Sequence, residues 1–101
     1  MFIYNVTIQV EESIKEEWLN WLKQTHIPDM INTGCFTEAT ILQLLEVDDS
    51  EGPTYAIQYF TKSIALYDQY IKKFAGIMRQ RSFDQWGDKC IAFRSVMQVV
   101  N

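Results

Sequence analysis

Polar and apolar residues alternate through the first ten positions. Tyr4, Val6, Ile8 and Val10 point one way and Asn5, Thr7 and Gln9 the other, which predicts a strand with one buried face over 2–10. EESIKEEW then opens a helix. Ser13 or a neighbouring glutamate is expected to cap it, and Glu16 and Glu17 suit the positive end of its dipole. Ile14, Trp18, Trp21, Leu22 and Thr25 recur at helical spacing, which predicts a buried stripe. The run CFTEATILQLLEV, 35–47, reads as a second strand, long for its kind. DDSEGP, 48–53, reads as a turn and TYAIQYFT, 54–61, as an alternating third strand, so 35–61 forms a hairpin. Ser63 caps a second helix over about 63–81, whose inward stripe is Ile64, Tyr67, Ile71, Phe74 and Met78. Gly87-Asp88 turns the chain into a last strand, CIAFRSVMQVV, 90–100.

The order is β-α-β-β-α-β, the ferredoxin-like arrangement of the α+β class. Right-handed crossovers give an antiparallel sheet in the order 4-1-3-2 with two helices on one face. Val6, Ile8, Val10, Tyr55, Ile57, Tyr59, Ile91, Phe93 and Met97 are expected to meet the helices. The opposite face mixes Asn5, Thr7, Gln9, Gln58, Arg94 and Gln98 with Ala56, Phe60, Ala92 and Val96. Left open, Phe60, Val96 and the long second strand would present an apolar patch and a free edge. A second copy covering the sheet removes both problems. A homodimer is therefore expected, with Asn5, Gln58, Phe60, Arg94 and Val96 in its face. Arg94 is expected to find an acidic group or carbonyls there.

Composition narrows the classes. The 101 residues suit one domain, 1–101, and 48% hydrophobic content supports an ordinary core. Thirteen acidic residues against nine basic ones give a net charge of −4. The one basic cluster, Lys72, Lys73, Arg79 and Arg81, is outweighed, which argues against nucleic acid as a partner. No apolar run approaches the roughly 18 residues of a membrane span, and the first ten residues lack a basic leader, so no membrane partner and a cytoplasmic location are expected. Cys35 and Cys90 form no CxxC pair and read as reduced thiols on opposite edges of the sheet, too far apart for a disulfide. One histidine and two separated cysteines supply no metal site.

The stretches IYNVTIQVEESI, EEWLNWLKQTHIPDMINTGCF and WGDKCIAFRSVMQVV resemble an uncharacterised bacterial domain-of-unknown-function family within the dimeric α/β-barrel superfamily. The most specific pieces are 26–36 and 87–94, and the likeness covers nearly the whole chain. It implies a ferredoxin-like fold whose two sheets face each other in a homodimer, and no established activity. The wider superfamily contains haem-degrading and quinol-type monooxygenases, isomerases and plain ligand binders, and fold alone does not choose among them. The haem-degrading members resemble this chain through a first-strand asparagine, which Asn5 matches. They also need a histidine on the second helix, which residues 63–81 lack, and Tyr59 stands where an aromatic tryptophan is usual. No cofactor is therefore expected.

His26, the only histidine, has two readings. Pro28 disfavours helical geometry at Ile27, which makes His26 a helix end whose protonated form the helix dipole and Asp29 would favour. Alternatively it is a titratable group at the mouth of a pocket between helices and sheet, a general base oriented by Asp29. Trp18, Trp21, Tyr55, Tyr59, Phe83 and Trp86 are either plain core or the walls of that pocket, with Trp18, Trp21, Tyr59 and Trp86 the chosen ligand-binding set. Three functions remain open: a homodimeric module binding a small ligand or partner without catalysis, a cofactor-free monooxygenase- or isomerase-like enzyme using His26, and a purely structural or regulatory dimer.

Overall fold

The computed structural model describes residues 1–101. Strands β1 (Phe2–Val10), β2 (Glu38–Gln43), β3 (Thr54–Thr61) and β4 (Cys90–Gln98) form one antiparallel sheet in the order β2-β3-β1-β4. That is the expected 4-1-3-2 order, so the fold is ferredoxin-like α+β. The hydrophobic core gathers on one side of this sheet, beneath the helices.

The first helix begins without a side-chain cap. A tight turn over Glu12–Ile14 leads in, the Ser13 hydroxyl donates to the Glu11 carboxylate at 3.4 Å, and Lys15 pairs with Glu12 at 3.0 Å. Helix α1 (Lys15–Trp21) then runs into a widened turn, Leu22–His26, and on into α2 (Ile27–Asn32). Pro28 explains the widening. It has no N–H to give Gln24, and its ring would crowd that carbonyl in a regular helix. The turn takes up an extra residue, and the Ile27 N–H reaches back to the Leu22 carbonyl. His26 is therefore inside a continuing helix and not at its end, a correction to the helix-end reading. The altered pitch also turns Thr25 out to solvent, while Ile14, Trp18 and Leu22 stay buried.

The second helical region bends at Phe74 into α3 (Ile64–Lys73) and α4 (Ala75–Trp86). Ser63 caps it as expected, its Oγ accepting from the Leu66 N–H at 3.2 Å. The inward stripe is Tyr67, Tyr70, Phe74, Ala75 and Met78. Ile64 and Ile71 lie outside it, 46% and 37% exposed. Strand β2 is shorter than the apolar run that suggested it. Cys35 and Phe36 are buried ahead of the strand, where Phe36 packs on Tyr4 and Tyr59, and Leu45 is 78% exposed beyond it.

The last strand brings the main correction. Val6 pairs with Arg94 and Ile8 with Ala92, and directly paired residues point to the same side. Cys90, Ala92, Arg94 and Val96 therefore face the helices, while Ile91, Phe93, Ser95 and Met97 join Asn5, Thr7, Gln58 and Phe60 on the open face. Arg94 and Val96 are thus removed from the expected dimer face, and Ile91, Phe93 and Met97 replace them. The indoles of Trp21 and Trp86, which meet edge to face at 5.8 Å, occupy much of the space on the helix side, and small Cys90 and Ala92 face them from β4. β2 and β4 are opposite edges, and both cysteines are free.

A cavity between helices and sheet

The helices and the sheet do not close on each other completely. A cavity of about 240 Å³ remains, with β1, β3 and β4 as its floor and α1, the widened turn, α3 and α4 as its walls. Its two ends differ chemically. One end is indole: Trp18, Trp21 and Trp86 line it together with His26, whose ring stacks on Trp21 at 4.7 Å and 19°. The other end is phenol: Tyr4, Tyr59 and Tyr70 line it, with Tyr4 and Tyr70 5.4 Å apart. Val6, Ile8, Leu22, Met30, Ile57 and Met78 supply apolar surface between them. Arg79 from α4 and Arg94 from β4 complete the lining, and no aspartate or glutamate belongs to it.

Burial sets the electrostatics. It holds the His26 imidazole neutral, with its pKa lowered to about 4; Asp29 opposes this, and Arg81 and Arg94 add smaller contributions in the same direction as burial. The protonated form expected from Asp29 is thus not the favoured one. Burial also raises the Tyr59 and Tyr70 phenols well above the usual tyrosine range, so both remain uncharged. Arg79 donates to the Tyr4 hydroxyl at 3.3 Å, and that bond helps to keep its guanidinium charged. Cys90 lines the cavity half-buried, its thiol pushed up to about 11, chiefly by burial and then by Glu11, which leaves it a poor nucleophile at neutral pH. Trp86 Nε1 is buried without a hydrogen-bond partner.

The structure gathers Trp18, Trp21, Tyr59, Trp86 and His26 around one space. Tyr55 instead stacks on Trp18, at 5.4 Å, within the core. Asp29 does not line the cavity. It stands in a polar groove on the far side of His26, with Thr25, Arg81, Asp84 and Gln85, and meets Arg81 at 3.6 Å. The basic cluster of the second helix is thereby split: Arg81 turns to Asp29 while Arg79 turns to Tyr4. Sequence reasoning missed Tyr70, Arg79, Ser82 and Arg94 as lining residues. Arg94 was hidden by the inverted parity of β4, and Tyr70 by the competing apolar choice of Ile71.

The sheet order and the helix layer define the class, a ferredoxin-like domain with a cavity between its layers. A family model described as domain of unknown function DUF4286 matches residues 1–100, and the chain belongs to that family. No curated protein matches it. Among solved structures, a dimeric ferredoxin-like protein from an uncultured marine organism is similar with a TM-score of 0.75 and 13% identity, over 99% of this chain and 95% of that one. An ethyl tert-butyl ether D family protein from Bacillus halodurans is similar with a TM-score of 0.67 and 9% identity, over 99% and 100% of the two chains. An Arabidopsis thaliana protein follows with a TM-score of 0.62 and 14% identity, over 98% of each. At these identities the likeness concerns the fold. No helix is long and apolar enough to cross a membrane.

Proposed function

We propose that this protein is a homodimeric small-ligand binder, with one face of its sheet used for assembly and the other for the ligand. The cavity lined by Trp18, Trp21, Tyr59 and Trp86 carries the reading of the helix side. Well-packed cores leave few voids larger than a water molecule, and concave, largely apolar sites with a few polar groups are the usual form of a ligand pocket. A thermal-shift screen of small aromatic and aliphatic fragments tests it. Fragments that raise the melting temperature are expected, and Tyr59→Trp, which fills the space, should abolish the response without unfolding the protein. A screen with no responders contradicts the reading.

The open face supports assembly. Phe93 is 66% exposed, Ile91 72% and Met97 38%, a concentration of apolar surface that a monomer rarely leaves bare. At its centre Asn5 is already satisfied: its amide donates to Thr7 at 3.0 Å and to Ser95 at 3.4 Å, and its carbonyl accepts from Gln58 at 3.4 Å. Covering this network adds no unpaired polar group from Asn5. The marine neighbour is a dimeric protein of the same fold, which supports a dimer here. Two unpaired thiols, Cys35 and Cys90, suit the reducing conditions of a cytoplasm.

An enzyme that uses His26 as a general base is the weaker reading. Such a base works best with a pKa near the operating pH, and burial holds this imidazole near 4. Asp29, the expected orienting group, is engaged with Arg81 in the groove outside the cavity.

A further inference from the structure

The charge of the cavity is opposite to that of the chain. Acidic residues exceed basic ones overall, thirteen to nine, yet the only charged side chains that line the cavity are Arg79 and Arg94. Neither arginine has a carboxylate partner. The two ion pairs of the molecule, Lys15–Glu12 and Arg81–Asp29, use other residues. Arg79 spends one N–H on the Tyr4 hydroxyl and keeps the rest of its guanidinium free of side-chain partners. Both arginines are exposed while lining the cavity, so they stand at its open side above an apolar, aromatic interior.

Trp86 lines the cavity through its ring, while its Nε1–H is buried away from solvent without an acceptor in the protein, so the two arginines are the charged donors that a ligand meets. His26, also in the lining, adds no positive charge of its own at neutral pH, because burial keeps it uncharged.

We infer that the ligand is a small organic anion, a carboxylate or carboxylate-like acid on an aromatic or short aliphatic body, with its acidic head toward Arg94 and Arg79 and its apolar body between the tyrosines and tryptophans. This rests on the cavity being a ligand site and specifies what it takes. A guanidinium matches a planar carboxylate in two parallel hydrogen bonds, and a partly enclosed setting strengthens them. The cavity of about 240 Å³ limits the body to roughly the size of one ring or a short chain.

Paired probes test this without knowledge of the natural ligand. Phenylacetate with phenylacetamide, and hexanoate with hexanamide, differ in charge and hardly in shape. Isothermal titration of the full chain should show each acid bound about tenfold more tightly than its amide. Arg94→Gln should cut the preference for the acid over the amide from about tenfold to about threefold, the remainder belonging to Arg79, which still lines the cavity. Its melting curve checks that the exposed substitution leaves the fold intact, and the wild-type comparison stands without it. Equal binding of acid and amide overturns the anion assignment alone. Retention of the tenfold preference by Arg94→Gln overturns the placement of the acidic head. Failure of all four probes to bind overturns the assignment, while responders in the thermal-shift screen would still leave the cavity a ligand site.

Discussion

His26 is the residue where sequence and surroundings disagree most. Its position before Pro28 and near Asp29 suggests a charged imidazole, yet burial against Trp21 dominates and keeps it neutral. The consequence for stability has a definite sign. An unfolded histidine takes up a proton near pH 6.5, whereas the folded one resists until about pH 4. Between these values the unfolded state binds more protons, so stability is lost as pH falls through that window, by up to roughly 3 kcal/mol. Urea unfolding at pH 7 and pH 4 should therefore show a smaller loss for His26→Gln than for the unaltered chain. Equal losses would mean that the imidazole is solvated in the folded protein. The aromatic lining was legible because large aromatics at helical or strand spacing face inward whether they pack or line a void. The void itself was not legible, since it depends on how far α4 stands from β4, and no local spacing records that.

Elements followed the sequence where a local rule was decisive. Strand β3 has the expected limits, 54–61, because strict alternation ends at a polar turn on one side and at Thr61-Lys62-Ser63 on the other. Strand β4 misled because both of its faces carry apolar residues and burial was assumed to mean burial under helices. The bulkier set, Ile91, Phe93 and Met97, is the one a second copy would cover. The loop before β3 shows how tightly one element end is fixed. Gly52 lies at φ +145°, its carbonyl accepts from the Gln9 side chain at 3.4 Å, and a Cβ there would collide with the Val10 carbonyl oxygen. The neighbouring Val10 N–H bonds Pro53 at 2.9 Å, and the Glu12 N–H bonds Glu51 at 3.1 Å, so the loop cannot easily retreat. Gly52→Ala should destabilise by about 3 kcal/mol or more, whereas Gly76→Ala, in α4 with open space around it, should stabilise by about 0.5–1 kcal/mol. Denaturant melts of the two variants check both signs.

At the scale of the molecule, the proposed function gives the two faces of one sheet separate uses. Phe93→Asp should place a charge in the assembly face and leave the helix side untouched. Light scattering should then report a single 11.9 kDa chain where the unaltered protein gives twice that mass. A variant that stays dimeric would move the interface elsewhere. The helix side offers the more direct test, because all three tryptophans of the chain line the cavity and each supplies a separate indole N–H signal. The decisive measurement is a nitrogen–proton NMR spectrum recorded with and without phenylacetate. Shifts of the Trp18, Trp21 and Trp86 indole signals are expected, with the Phe93 and Met97 amides of the open face at rest. Shifts confined to that open face, with the three indoles unmoved, would contradict a ligand site on the helix side.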